Sequence, residues 1–370
     1  MKLLIFPIDI DAGQRLAAEV RALGIPLVGA SSIPRTRPDP LLGEIRRLPF
    51  VTEAPFAEQF RRLIEGEHIT HVYTHHQGVW TQLRSLQQDN PDRYSFTLVQ
   101  PDPYTRDWLT IADSLEWAER LLRERFTDSL SDIAAEVPAP PLKRNMLAGL
   151  HQQFLRIPGQ CDLSKLHILI HIAPLLPRGD LVEIGSLYGR SAFAMSWLGA
   201  HYRIGNHLSI DPWSAGKLDL QDQESELINR DVGRIDFDKI FQGFLCHLAL
   251  QSNLGYVRET SEIGHRIYLE AITAGFIETP EFGRIAIQGK IALLHIDANH
   301  GYRHVVQDIA LWEPHVTAGG WVLLDDYVWS FGAGVKRAAD ELLARGGFDR
   351  AFVLGDTLVL RKSPVPLGIR

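Results

Sequence analysis

Residues 291–302 read IALLHIDANHGY. An apolar run passes directly into two histidines, an aspartate and an asparagine. The run has the length of a buried strand, and the polar residues leave from its carboxyl end. The segment that follows, HVVQDIALWEPHV, spaces Val305, Ile309 and Trp312 for one helical face. Strand, polar turn and helix form the repeating unit of an α/β fold, where ligands bind outside the carboxyl ends of the strands. The turn is therefore either a tight connection or one corner of a reaction centre.

Working outward, the same alternation continues on both sides. Upstream, Leu163 to Leu176 reads as a helix stopped at Pro177. GDLVEIG is a strand, GRSAFAMSWLG a helix and HLSIDPW a strand; Asp238 to Leu250 is a helix and LGYVRETS a strand. Downstream, GGWVLLDDY is a strand and GVKRAADELLARGG a helix ended by glycines. FDRAFVLG and TLVLRK close as a hairpin. The order β-α-β-α-β-α-β-α-β-α-ββ predicts an α/β fold over residues 160–370: a Rossmann-like, doubly wound sheet ending in a β-hairpin.

A smaller N-terminal α/β domain is predicted over residues 1–105. KLLIFPI, IPLVGAS, HITHVYTHH and RYSFTLVQP read as strands. Helices fall at Gln14 to Leu23, Pro55 to Ile64 and VWTQLRSL, the spacing of crossover connections in a parallel sheet. Residues 106–159 read as a helical linker. Its first helix, Asp107 to Arg125, carries Trp108, Ile111, Leu115, Ala118, Leu121 and Leu122 near one face. The proline-rich AAEVPAPPLKR follows, then a helix from Leu142 to Leu155.

Composition narrows the function. The 370 residues are 45% hydrophobic and 22% charged, with net charge −7 and a sequence pI of about 6.1, so no general nucleic-acid partner is expected. No stretch reaches the ~18 uninterrupted apolar residues of a spanning helix, and the amino terminus reads as a strand, not a signal peptide. Cys161 and Cys246 fit no metal or redox spacing and read as buried thiols of a cytoplasmic protein. The oligomeric state is open, a homo-oligomer included.

The polar residues at strand ends define the candidate site. Glu183, Gly185, Ser186, Gly189 and Ser191 follow the first strand of the second domain. Glycines there let a ligand approach helix-start amides, although GxxxG also suits a plain turn. Asp211 ends the next strand, where an acid can accept both hydroxyls of a ribose; a turn aspartate is the competing reading. Asp297 and the pair Asp325–Asp326 end the fourth and fifth strands, side by side in this topology. Three converging carboxylates repel unless a cation or ligand compensates, and their oxygens suit Mg²⁺. His300 is then placed as a general base. His295, His300 and His304 without cysteines make a poor zinc set. Thr74-His75-His76 ends a strand of the first domain and reads as a surface or core-satisfied pair.

LVEIGSLYGRS, LSIDPW, LLHIDANHGYRHVVQDIALWEPHVTAGGWVLLDDY and GVKRAADEL together resemble class I S-adenosylmethionine-dependent methyltransferases. The likeness is greatest to macrocin-type sugar O-methyltransferases and cephalosporin hydroxylase-like proteins, and it covers about residues 160–365. The resemblance implies S-adenosyl-L-methionine as cofactor, with Glu183, Gly185 and Gly189 at its methionine part, Asp211 at its ribose and Ser261 near its adenine. It also implies Mg²⁺ on Asp297, Asp325 and Asp326, with His300 as the base toward a hydroxyl of a small-molecule acceptor such as a sugar or natural product. Two departures stand out. Asn299 replaces an acid of the usual motif, and Glu259-Thr260-Ser261 replaces a glycine-aspartate-serine segment. Asn299 keeps a second reading alive: a non-catalytic S-adenosylmethionine-binding scaffold or sensor. The first domain resembles the unit that precedes ATP-grasp domains, but no ATP-grasp signature follows, and no phosphate loop occurs in it.

Overall fold

The protein is described from a computed structural model covering residues 1–34, 43–124, 130–135 and 140–364. Part of the proline-rich connector and Arg125 lie outside the described residues. The chain forms two compact units, Met1–Asp113 and Ser114–Arg370.

The first unit holds β1 (Leu3–Ile5), α1 (Asp11–Ala22), β2 (Leu27–Ser31), β3 (Arg46–Arg47), α2 (Phe56–Gly66), β4 (His71–Tyr73), α3 (Gln77–Asp89) and β5 (Thr97–Leu98). Its strands lie in the order β3-β2-β1-β4-β5, all parallel. Parallel strands need crossovers, and α1, α2 and α3 supply them. β3 is too short to show a period in the sequence. His76 caps α3, its Nδ1 accepting from the Gly78 amide at 3.1 Å.

Helix α4 (Pro103–Arg123) runs across the boundary between the units. The segment read as a linker packs from Ser114 onward into the second unit. Trp117, Ala118 and Leu121 of α4, and Leu147, Leu150 and Phe154 of α5 (Arg144–Arg156), join its core. Leu122, placed on the apolar face by its spacing, is exposed.

The second unit continues with α6 (Leu163–Ile172), β6 (Asp180–Ile184), α7 (Arg190–His201), β7 (His207–Ile210), α8 (Glu226–Val232), α9 (Phe237–Leu248) and β8 (Leu254–Val257). Then come α10 (Ser261–Ala274), a hairpin of β9 (Phe276–Thr279) and β10 (Gly283–Ala286), β11 (Ile291–Ile296) and α11 (Tyr302–Trp312). β12 (Val316–Leu324), α12 (Gly334–Arg345), β13 (Phe348–Leu354) and β14 (Thr357–Lys362) complete it. The seven-stranded sheet has the order β13-β14-β12-β11-β6-β7-β8. β14 is antiparallel to both its neighbours, and the pairs from β12 to β8 are parallel. This is the expected doubly wound sheet with a closing hairpin. The β9–β10 hairpin is an addition to the expected elements.

The sheet is buried on both faces. Leu181, Leu293, Trp321 and Leu323 point toward α4–α7 and α9. Val182, Ile184, Leu294, Ile296, Val322 and Leu324 point toward α10, α11 and α12. The period of two fixes what comes next along each strand. Glu183, His295 and Asp325 fall on the first of these faces, toward α6, with Glu183 and His295 directly paired in register. Cys161 is buried, but Cys246 is exposed: on α9 it lies away from Phe241, Phe244 and Leu248, which fill the core.

Candidate active site

The turn after β6 is built by its neighbours. Gly185 takes a left-handed φ of 86°, and a Cβ there would overlap the carbonyl oxygen of Asp297. Its glycine thus lets the tips of β6 and β11 touch. Asp211, at the tip of β7, accepts from the Ser186 and Leu187 amides at 2.9 and 3.0 Å. Its other oxygen accepts from the Trp213 amide at 2.8 Å. The Trp213 indole donates to the Leu187 carbonyl at 2.8 Å, holding Leu187 at a φ of 47°. Burial pushes the Asp211 carboxyl up, against the three amides that favour its charge. A carboxylate has about four acceptor positions, so one is left for a further donor.

A cleft of about 240 Å³ opens at these tips. Gly185, Ser186, Ser191, Asp211, Asp297 and His300 all line it, and the roof comes from Ile228, Val232 and Ile235. A second cleft of similar volume is lined by Thr260, Ser261 and Glu262. The two share Pro212, Leu218, Asp219, Ala298 and Asn299 along their walls. Together they follow the tips of β6, β7, β8 and β11, an arrangement that fits an elongated ligand. Ser261 accepts from the Trp312 indole at 2.9 Å, which fixes it at the start of α10.

The segment after β7, rich in charged and amide residues, folds across the site. The Asn299 side chain donates to the Asp219 carbonyl at 2.9 Å. Asp222 accepts from the Tyr302 amide at 2.8 Å, at the start of α11. Glu224 accepts from the Ala333 amide at 3.0 Å, and Ser225 donates to the Phe331 carbonyl at 2.7 Å. Anionic side chains at helix starts are favoured by the helix dipole.

Two predicted residues have partners that the sequence does not suggest. Glu183 is fully buried and lines neither cleft. It accepts from Ser186 Oγ at 2.6 Å and pairs with His295 Nδ1 at 3.0 Å. It therefore supports the turn from beneath instead of facing a ligand. Asp325, expected beside a metal, is paired with Lys165, a lysine only 1% exposed. Thr357 Oγ1 donates to the same carboxylate at 2.7 Å. Lys165 Nζ also lies 3.2 Å from His295 Nε2. Two carboxylates, Glu183 and Asp325, thus face the Lys165 ammonium and the His295 imidazole. Burial and the Lys165 ammonium oppose the His295 imidazolium, but the Asp325 and Glu183 carboxylates outweigh them and raise its pKa to about 9. Burial likewise opposes charge on Asp325, and Lys165 overrides it, holding that carboxyl well below the usual range. Asp297 is pushed well above it by burial and by Asp325, with which it shares a hydrogen bond.

Asp326 has a φ of 55°, a conformation aspartate tolerates better than most residues. The turn points it away from Asp325 and toward His300. His300 Nε2 lies 3.1 Å from Asp326 Oδ2 and 3.6 Å from Asp297 Oδ1. Among the described residues neither ring nitrogen has hydrogen-bonding geometry to a partner, and the ring rests edge-on against Trp329, centroids 4.6 Å apart. Burial lowers the His300 pKa and raises that of Asp326 to about 6. Asp297, His300 and Asp326 converge closely enough to hold one metal ion, and His295, Asp297 and Asp325 form a second such group. The unsatisfied imidazole shows that the first group is open to a further partner. His304 instead pairs with Asp219 at 3.2 Å.

Lys165 is the residue beside the site that sequence reasoning missed. Its signal was a lone lysine in the otherwise apolar LSKLHILIHI.

The parallel sheet with its antiparallel β14, and the cleft at its strand tips, define a Rossmann-like α/β domain. Residues 182–327 match the family model described as a methyltransferase domain. An uncharacterized protein of Acanthamoeba polyphaga mimivirus is 28% identical over 202 residues, 54% of this chain and 71% of that protein. Among solved structures, the calicheamicin methyltransferase CalS11 aligns with TM-score 0.38 and 14% identity, over 68% of this chain and 91% of its own. The O-methyltransferase NovP aligns with TM-score 0.38 and 15% identity, over 68% and 99%.

Proposed function

We propose that the second unit transfers a methyl group from S-adenosyl-L-methionine to a hydroxyl of a small molecule, such as a sugar or natural product. One observation carries this reading: the glycine turn, Asp211 and the Asp297–His300 pair line one continuous cleft. The donor supplies an electrophilic methyl on sulfur. A hard divalent cation such as Mg²⁺ on Asp297 and Asp326 would supply a Lewis acid that lowers the pKa of an acceptor hydroxyl.

The chain's own residues do the rest. Asp211 offers its remaining acceptor position to a ribose, and Ser186 and Ser191 border the methionine end. His300, kept neutral by burial, has a free ring nitrogen to take the hydroxyl proton. The aliphatic roof of Ile228, Val232 and Ile235 excludes water, and the fixed walls hold donor and acceptor in line. The expected partner is therefore a small-molecule acceptor.

Replacement of His300 by alanine tests the assignment. Turnover, followed as S-adenosylhomocysteine release over a panel of hydroxyl acceptors, is expected to fall by at least ~100-fold. Calorimetric affinity for S-adenosylmethionine should change little. Full activity in the variant would remove His300 as the base. Wild-type protein that fails to bind the donor would remove the methyltransferase reading itself.

A further inference from the structure

Two groups of side chains at the strand tips could each hold a cation, and they share Asp297. They differ in one respect. The group facing the cleft contains His300, whose Nε2 lies near Asp326 and Asp297 but whose ring nitrogens make no hydrogen bond among the described residues. The deeper group, His295, Asp297 and Asp325, already has a cation beside it. Lys165 Nζ pairs with Asp325 and lies 3.2 Å from His295 Nε2.

Lys165 is held there by its own element. Asp162 caps α6, its Oδ1 accepting from the Ser164 amide at 2.8 Å and the Lys165 amide at 3.3 Å. Apolar neighbours Leu166, Ile168 and Leu169 anchor the helix on the sheet. The Lys165 side chain is buried. A divalent ion in the deeper group would sit against a fixed positive charge, and that repulsion is poorly screened in a buried site.

We propose that Lys165 is a positioning residue whose ammonium takes the deeper cation place permanently, so that the site binds one divalent ion, on the cleft side, and Asp325 serves Lys165 instead of a metal. The proposal rests on the cation assigned to Asp297 and Asp326 above. A merely structural ion pair would leave metal stoichiometry untouched when removed; a cation filling a metal place would not.

The test counts bound Mn²⁺ by the loss of the free-ion electron paramagnetic resonance signal, using the full chain without donor or acceptor. Wild type is expected to bind one ion. Asp326→Asn, which removes a ligand, should weaken it by about a hundredfold or more, whereas Asp325→Asn, which removes only a hydrogen-bond partner of the ligand Asp297, should weaken it clearly less, by about tenfold. Lys165→Met should bind a second ion, which the double variant Lys165→Met/Asp325→Asn loses again. Wild-type stoichiometry in Lys165→Met would overturn the proposal, as would an Asp325→Asn loss equal to that of Asp326→Asn. If Lys165→Met does not fold, the Asp325→Asn comparison decides alone. Wild type that binds no ion would refute the cleft-side cation. In that case a first ion gained by Lys165→Met would still support Lys165 as the resident cation, and none in either protein would overturn both.

Discussion

Asn299 is the residue at which the chain departs from the acid of the motif it resembles, and its side chain uses both ends of the amide. Its Oδ1 accepts from the Gly301 amide at 2.8 Å, as an aspartate could. Its Nδ2 donates to the Asp219 carbonyl, which an aspartate cannot do. The exchange therefore ties the turn after β11 to the segment across the cleft. Asn299→Asp is expected to remove an exposed hydrogen bond worth about 0.5–1.5 kcal/mol and to set two acceptors against each other. Hydrogen exchange should speed up over residues 215–236 while β11 stays protected; unchanged exchange there would show that Asn299 does not hold the segment. At this scale the sequence made the site partly legible. Asp211, Asp297 and His300 were visible because each follows an apolar strand. Lys165 was not, because its partner Asp325 lies 160 positions away, and no local pattern links a helix lysine to a strand tip.

The elements were legible wherever a period ran long enough. Val305, Ile309 and Trp312 all face the core, as their spacing requires. β3, two residues long, has no period to read. The turn between β6 and α7 shows what an element boundary adds. Its two glycines, equivalent in the sequence, differ in surroundings. A Cβ at Gly185 meets backbone of Asp297 and Ala298, whereas one at Gly189 meets the side chains of Leu248 and Phe244. Backbone cannot yield without separating β6 from β11, but side chains can repack. Gly185→Ala is therefore expected to destabilise the second unit by about 3 kcal/mol or more in urea unfolding. Gly189→Ala should cost clearly less. Equal losses would contradict the close approach at Gly185.

At the scale of the whole molecule, the boundary falls inside a continuous helix. The spacing of α4 marks it as helical but cannot say which unit it serves. The structure places Trp117, Ala118 and Leu121 in the core of the second unit. A chain beginning near residue 100 keeps α4 whole and should retain cofactor affinity and a cooperative thermal transition. One beginning near residue 140 removes Trp117, Ala118, Leu121, Leu130 and Ile133 from that core, the larger of them each worth about 1.5–3 kcal/mol, and should melt at a clearly lower temperature. Equal melting temperatures would show that α4 is dispensable to the second unit. The sequence by itself determined the alternation of strands and helices, the doubly wound sheet and the acidic character of its strand tips, because periodicity and chain order are local properties. Which carboxylate faces the cleft and which is neutralised within the fold was decided by tertiary structure alone. Burial and the placement of Lys165 set the charge of Asp325, and both depend on residues brought together only when α6 packs on the sheet.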